Sequence, residues 1–521
     1  MKKKIKAKAK VKVKLTLRFI SLILVFLTAF SFISCANPNS AGSNSNDDDK
    51  KQNVESSDTN GEGEGAKPDA TEAITEIPEP DYDFGGYKFR VLVNGDAFGD
   101  YRAREFFAPE QTGDVINDAV YKRNITAEEK YNFTLEIFGD TTYASPVQTV
   151  AAKSIKSGDD AYDMVMPYMT IDGASSLAQQ NLLLDLKTLS GLDIENPWWD
   201  QRANEQLSIG GKLFFTTGDI SIVLSSYCTF GVLFNKSLIK DNSLENPYEL
   251  VKAGDWTIGK MYEMSKAVTR DLNGDGMLNH EDMWGALSEL NASNGMFFSS
   301  GEHIVSQGAD GYPEITMYNP RSVSVIEKAL DFLQDENTVL FAQRMKVDSV
   351  WEYAVKVMAE GRAFFRTCAL VGVEELRAAE LDFGILPYPK YDKSQAEYNN
   401  LVSTICVPGV CVPVTVQNPG TTGAIIEILA RGASNTIVPA YYEQTLYNRL
   451  VRDDESYDML RLIFSTRVYD LGTIYDWGGI GFLLMNMNDR GQKDFTSQYE
   501  KIVNKAQAAM EKTINLYKEF Q

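Results

Sequence analysis

The stretch from Tyr87 to Pro167 constrains this chain most, because apolar runs of strand length alternate there with amphipathic runs of helix length. Tyr87–Val93 alternates and then turns fully apolar, as an opening strand does. Asp114–Tyr131 places Val115, Ala119, Val120, Ile125 and Tyr131 at roughly helical spacing among charges. A second strand over Phe133–Phe138, a second helix over Tyr143–Ser157 and a third strand over Tyr162–Pro167 follow. This rhythm predicts an α/β fold with a parallel sheet covered by helices on both faces. Ligands in such sheets lie beyond the carboxyl ends of the strands, here Asn94-Gly95-Asp96 and Tyr168-Met169-Thr170.

The chain has 521 residues, enough for two packed lobes. Its net charge is −21, yet residues 1–34 carry nine Lys/Arg and no acid, so the remainder is near −30. A surface this acidic disfavours nucleic acid, whose backbone needs a basic patch. There are two histidines, His280 and His303, which leaves little room for zinc hydrolase or serine hydrolase chemistry. No G-x-x-x-x-G-K-[ST] loop occurs, so the chain is not a transport ATPase. None of the five cysteines has zinc-site spacing. Cys406 and Cys411 either pair across Val407-Pro408-Gly409-Val410 or stay free. Free thiols are the expectation, since nothing else reads as a disulfide framework.

Residues 2–18 are Lys-rich, Phe19–Ile33 is apolar, and Ser34-Cys35 follows. That is the order of a secretory signal. Fifteen residues make about 22 Å of helix, short of the ~30 Å that a bilayer span needs. Phe32-Ile33-Ser34-Cys35 resembles a bacterial lipobox, with Phe where Leu is usual, and implies a signal peptide over 1–34 with lipid on Cys35. Residues 35–80, rich in Asn, Ser, Asp, Glu, Gly and Pro, then form a polar linker that cannot bury a core. Such a tether lets an anchored domain stand off the membrane.

Asp271-Leu272-Asn273-Gly274-Asp275-Gly276-Met277-Leu278-Asn279-His280-Glu281-Asp282 matches the first half of a calcium loop. Asp271, Asn273 and Asp275 offer side-chain oxygens at positions one, three and five, and Gly276 permits the turn at six. Met277 offers its carbonyl at seven, Asn279 sits at nine, and Asp282 stands at twelve where Glu would chelate with both oxygens. Oxygen ligands favour calcium over zinc, and a structural role is expected. The plainer alternative is an Asn/Asp/Gly-rich turn without metal.

Over residues 82–521 the sequence resembles the extracellular solute-binding proteins of ABC transporters, in their large carbohydrate-binding group. The resemblance is carried by Tyr82-Asp83-Phe84-Gly85-Gly86-Tyr87, Asn117-Asp118-Ala119-Val120-Tyr121-Lys122-Arg123-Asn124, Gly211–Phe215, Leu233–Lys236, Gly254–Thr257, Glu360–Phe365 and Phe383–Lys390, in that order. It implies a two-lobed periplasmic-binding-protein-like fold (type II) that closes on a solute about three crossing segments. The expected crossings are Thr217–Val223, Ala363–Arg366 and Val407–Pro413. The first lobe is then 81–220 with 363–409, and the second 221–362 with 410–521. The resemblance further implies a monomer that is not an enzyme and that delivers a solute to a membrane permease driven by its ATPase. The alternatives are a surface glycoside hydrolase, which needs two carboxylates in one cleft, and a glycan-adhesion lipoprotein.

Sugars are held by aromatic faces and by planar polar groups that pair with hydroxyls. Phe214, Phe215, Phe230, Phe234, Phe364 and Phe383 lie in strand-like runs and read as core. Trp198, Trp199 and Trp256 read as packing. The candidates at strand ends, crossings and glycine-rich loops are Tyr168, Asp219, Tyr227, Arg366, Tyr475, Asp476 and Trp477, with Trp351 a weaker one. The expected solute is an oligosaccharide.

Overall fold

A computed structural model describes residues 77–94, 104–139, 146–376, 379–442 and 454–520. Cys35, the signal segment and the linker up to residue 76 lie outside the described residues. So do Gly95 and Asp96.

The opening alternation folds in the expected order, although the third strand is only Met164–Val165 of the expected Tyr162–Pro167 and the second helix is described as Val147–Lys156. β1 (Tyr87–Leu92), α1 (Val115–Tyr131), β2 (Phe133–Phe138), α2 (Val147–Lys156) and β3 (Met164–Val165) follow in turn. The strands form a parallel sheet in the order β2-β1-β3. Phe89, Val91 and Met164 are wholly buried, while Lys88, just before Phe89, faces outward, which gives the opening strand its alternation. Asp114 caps α1, its carboxylate accepting from Asn117 N at 2.9 Å. Such a cap contributes about 1 kcal/mol.

The second sheet is larger. α3 (Ile222–Tyr227) leads into β4 (Phe230–Asn235), and α4 (Ile258–Val268) precedes β5 (Trp284–Ser288) and α5 (Ala292–Ser299). β6 (Val339–Phe341), α6 (Val350–Ala359), β7 (Ala363–Ala369) and β8 (Phe383–Leu386) complete it. The order is β8-β4-β7-β5-β6. β7 runs antiparallel to β4 and parallel to β5, while β8 runs antiparallel to β4. Trp256 is fully buried, its indole N–H donating to Pro387 O at 2.9 Å.

This pairing corrects the expected lobe boundaries. Ala363–Arg366 is not a crossing but the first half of β7, bonded on both edges within the second sheet. Residues 363–386 therefore belong with that sheet and not with the first. Conversely, Val410, Cys411 and Pro413 pair with Thr216, Val165 and Leu183, on the first sheet's side. α7 (Pro419–Tyr442) also packs there: Ala433, Ile437 and Tyr441 share a cluster with Ile116 and Val120 of α1. α8 (Phe495–Glu519) touches both sides, stacking Tyr499 on Tyr318 and meeting Phe214 edge-to-face with Tyr517.

Three passages between the sheets can be followed among the described residues. The first passage runs from Thr216, paired with Val410, through α3 to β4, and contains the expected Thr217–Val223. The second runs from Val402, paired with Thr229, to Val410. The third follows Arg467–Val468, paired with Asn400–Leu401, into the helix Leu471–Tyr475. Cys406 lies on the second passage and is bonded to Cys228 at the end of the first. Cys411 is free, as expected, but Cys406 is neither free nor paired with Cys411, for a topological reason. Cys411 has already entered the first sheet, where it is buried opposite Val165, while Cys406 is still beside β4.

Candidate functional site

Where the passages meet the carboxyl edge of the second sheet there is a narrow crevice of about 20 Å³. Its walls are Asn291 and Asn294 after β5, Leu401–Ile405 on the second passage, and Thr473, Gly481, Phe482 and Met485 beyond the third. β5 ends at Ser288, and α5 begins at Ala292, so the turn between them must deliver Asn291 and Asn294 to this edge. Ser403 is fixed by its own N–H, which donates to Cys228 O at 2.8 Å, and the disulfide follows three residues later. Asn294 is 3% exposed, and its Nδ2 donates to Gly481 O at 3.1 Å. Ile405 is 47% exposed at the mouth. None of these lining residues is charged.

In two larger cavities several polar groups are already committed, although Arg431 Nε in the first has no partner among the described residues. One, of about 260 Å³, lies on the first sheet's side between Tyr82, Trp198 and α7. Its Glu427 accepts from the indoles of Trp198 and Trp199 and from Asn196, and its Arg431 donates to Ile77 O and Pro78 O. The other, of about 150 Å³, lies among Glu205, Gln206, His303, Gln307 and Tyr469. There Gln307 Nε2 donates to Glu205 O and Ser208 O, and Tyr469 N to Gln206 Oε1, tying β-hairpin 305–315 to the first lobe.

No protein-family model matches the sequence, and neither does any curated protein sequence. Solved structures do match in shape. A cyclo/maltodextrin-binding protein complexed with maltotetraose aligns over 84% of this chain and 98% of its own, with TM-score 0.54 and 16% identity. UgpB from Mycobacterium tuberculosis, in complex with glycerophosphocholine, aligns over 82% and 99%, with TM-score 0.54 and 14% identity. The maltose/maltodextrin-binding domain MalE from Bdellovibrio bacteriovorus, bound to maltotriose, aligns over 82% and 100%, with TM-score 0.50 and 14% identity.

The chain has the two-lobed α/β fold of ABC-transporter solute-binding proteins.

Within that solute-binding fold, the residues expected to touch solute are mostly spent on packing. Arg366 is 0% exposed in β7, where its guanidinium lies 4.6 Å from the Trp351 ring centroid and pairs with Glu289 at 2.9 Å. Tyr475 stacks on Trp477 at 4.8 Å; the Tyr475 hydroxyl meets that of Tyr517, and the Trp477 indole donates to Thr513 on α8. Asp476 stands one step behind the crevice, accepting from Gly481 N at 2.8 Å. Tyr227 is buried against Tyr441, with Arg104 Nη1 3.4 Å from its hydroxyl. Tyr168 is half-buried and pairs through its backbone with Pro408.

Asp219 lies on the first passage, near Arg467 and Asp200. It keeps part of its surface exposed, yet burial of its carboxyl, offset by Ser434 and Arg467, pushes it up to about 7. Arg467 donates to Ser226 Oγ and Tyr469 to Asp200, so this cluster ties the passages together.

The residues that do line the crevice were visible in one signal. The strand-end rule that marks Asn94 and Tyr168 in the first sheet marks Asn291 and Asn294 when applied to Trp284–Ser288.

The loop Asp271–Asp282 folds as a chain of turns closed by its own side chains. Asp271 accepts from Gly274 N and Gly276 N, and both glycines have positive φ, at 74° and 81°. Asp282, fully buried, accepts from Leu272 N and Asn279 N at 2.9 and 2.8 Å, and these bonds hold its carboxyl below the usual range. Asn273 Nδ2 donates to Asp275 Oδ2 at 3.1 Å. Among the described residues no three His, Cys, Asp or Glu side chains converge as a metal group.

Proposed function

We propose that this protein is the lipid-anchored, extracellular solute-binding component of an ABC importer, and that its solute is a neutral oligosaccharide. The observation that carries the solute class is the crevice lining. Asn291, Asn294, Ser403, Thr404 and Thr473 supply uncharged hydrogen-bonding groups, and Phe482, Met485 and Ile405 supply apolar surface. Hydroxyl-rich rings need that mixture. A phosphate, carboxylate or ammonium would ask for a counter-charge that the lining lacks. The solved neighbours complexed with maltotetraose and maltotriose support the class. A glycoside hydrolase needs two carboxylates flanking one bond, and no Asp or Glu is among the lining residues. Lipid on Cys35 would hold the binder beside its permease, with the polar linker setting its reach.

A thermal-shift screen over neutral mono- to tetrasaccharides tests this reading. A solute that binds only the folded state raises Tm, by an amount that grows with concentration. At least one saccharide is expected to do so, while free amino acids and sugar phosphates are not. Shifts confined to charged solutes would overturn the solute class. Metabolic labelling with a tagged fatty acid should mark the wild-type chain and not C35A.

Calcium on the loop Asp271–Asp282 is part of the same proposal, as a stabilising ion. The order of oxygen donors and the two positive-φ glycines support it. Binding would require Asp275 to exchange its contact with Asn273 for the ion. Calcium added to chelator-treated protein is expected to raise Tm by a few degrees, and D275A to remove the response. An unchanged Tm at millimolar calcium retires the site.

A further inference from the structure

Asn294 is the one residue of the crevice with a wholly buried polar atom left without a protein partner. Its Nδ2 is committed to Gly481 O, a carbonyl held in place because Asp476 accepts from Gly481 N. Its Oδ1 has no hydrogen-bond partner, although the side chain is buried and lines the crevice. The amide cannot turn over without placing oxygen against the Gly481 carbonyl, so Oδ1 is a fixed acceptor. A buried acceptor without a donor is costly, and a ligand hydrogen that reaches it recovers that cost. The crevice that Asn294 lines, about 20 Å³, takes one water-sized group in this conformation, and Oδ1 lies at its wall out of contact with solvent.

We infer that Asn294 is a specificity-determining residue: its Oδ1 accepts from one hydroxyl of the bound saccharide and so selects a hydrogen-bond donor at that position. This rests on the saccharide reading above and deepens it. The selection is directional. A hydroxyl satisfies Oδ1, whereas a deoxy carbon leaves it unpaired, and an O-methyl group both removes the donor and overfills the space. A site built around a buried acceptor discriminates strongly against analogues lacking the matching donor. Glu289, near the same strand end, does not compete for the role, since its carboxylate is held by Arg366.

The test uses the full mature chain and the saccharide from the neutral panel that gives the largest Tm shift. Its mono-deoxy and mono-O-methyl analogues are titrated calorimetrically against wild type, N294D and N294A. Wild type is expected to bind one position's analogues about 10–100-fold more weakly than the parent sugar. N294D, which must carry a proton to donate to Gly481 O where Nδ2 did, still leaves an acceptor oxygen and should retain that preference. N294A should bring the ratio between parent and analogue close to one, whatever its effect on Tm. The ratio is the readout because a merely structural Asn would lower affinity for parent and analogue together. An unchanged ratio in N294A overturns the inference while leaving the saccharide reading intact. Failure of every saccharide to bind wild type overturns both.

Discussion

Replacing Glu289 by Leu is expected to lower the unfolding free energy by about 3–5 kcal/mol, the cost of leaving a buried charge without its partner. The charge is Arg366, fully buried in the middle of β7. Its Nε and Nη2 both donate to Glu289 Oε1, at 3.2 and 2.9 Å. Water cannot reach the guanidinium to replace that carboxylate; its other neighbours include the Trp351 face, the Cys368 thiol and the more distant Glu375 carboxylate. Burial pushes the Glu289 carboxyl up even though the Arg366 guanidinium beside it pulls the other way. The double variant E289L/R366M should recover most of the loss, because apolar replacement of a whole buried pair is close to neutral. Urea unfolding measures both. Saccharide affinity per folded molecule should stay near wild type in the double variant. If R366M instead abolished binding at unchanged stability, Arg366 would return as a solute ligand.

The second large effect is a dependence of stability on pH centred on Glu105. This residue is 2% exposed, and its Oε1 accepts from Leu224 N in α3 at 2.7 Å. Burial pushes its carboxyl from 4.5 up to about 7, against the pull of Leu224 N, its own N–H, Arg123 and Arg104. Arg123 is buried beside it, with Nη2 donating to Glu105 O at 2.5 Å and burial lowering it to about 10. The folded state thus binds a proton on Glu105 that the unfolded state has released between about pH 4.5 and 7. Stability from this group is complete below pH 4.5 and is lost as pH rises through 7. A carboxyl moved from 4.5 to about 7 by burial corresponds to roughly 3 kcal/mol in all. E105Q retains an acceptor for Leu224 N and cannot titrate. Between pH 5 and 8 wild type should lose about 3 kcal/mol more stability than E105Q does. Parallel pH profiles for the two proteins would show that Glu105 is ionised in the fold and that its carboxylate is solvated.

The first sheet was legible in the sequence because its information is local. A strand with one face in the core alternates apolar and polar residues, as Phe89 and Val91 do with Lys88 and Arg90, and the helices between such strands carry an apolar face. β1, α1 and β2 therefore fall within a residue or two of their expected bounds. The aromatic residues assigned to the core are there for the same reason: Phe215 and Phe234 are 1% and 0% exposed. The expected crossing at Ala363–Arg366 failed because an apolar run reads alike whether it enters a sheet or leaves it. Only the two neighbours β4 and β5, each far away in sequence, make it a central strand.

The candidate site shows the same division. Residue types suited to a sugar were sought in Tyr475, Asp476, Trp477 and Arg366, yet large side chains are also the best core and ion-pair formers. Three of the four are spent on α8, on each other or on Glu289. The residues that line the crevice are small and polar, and such residues are unremarkable along a chain. By itself the sequence determined the α/β class, the parallel first sheet, the acidic charge and the turn-forming glycines of residues 271–282. All of these follow from side-chain periodicity, net charge and local backbone freedom. Tertiary structure alone decided that Cys406 meets Cys228, that Arg366 is buried, and that Asn291, Asn294, Ser403, Thr473 and Phe482 share one crevice. The reason is physical: pairing across 178 residues, or burial behind a strand from another part of the chain, leaves no periodic trace in the sequence around it.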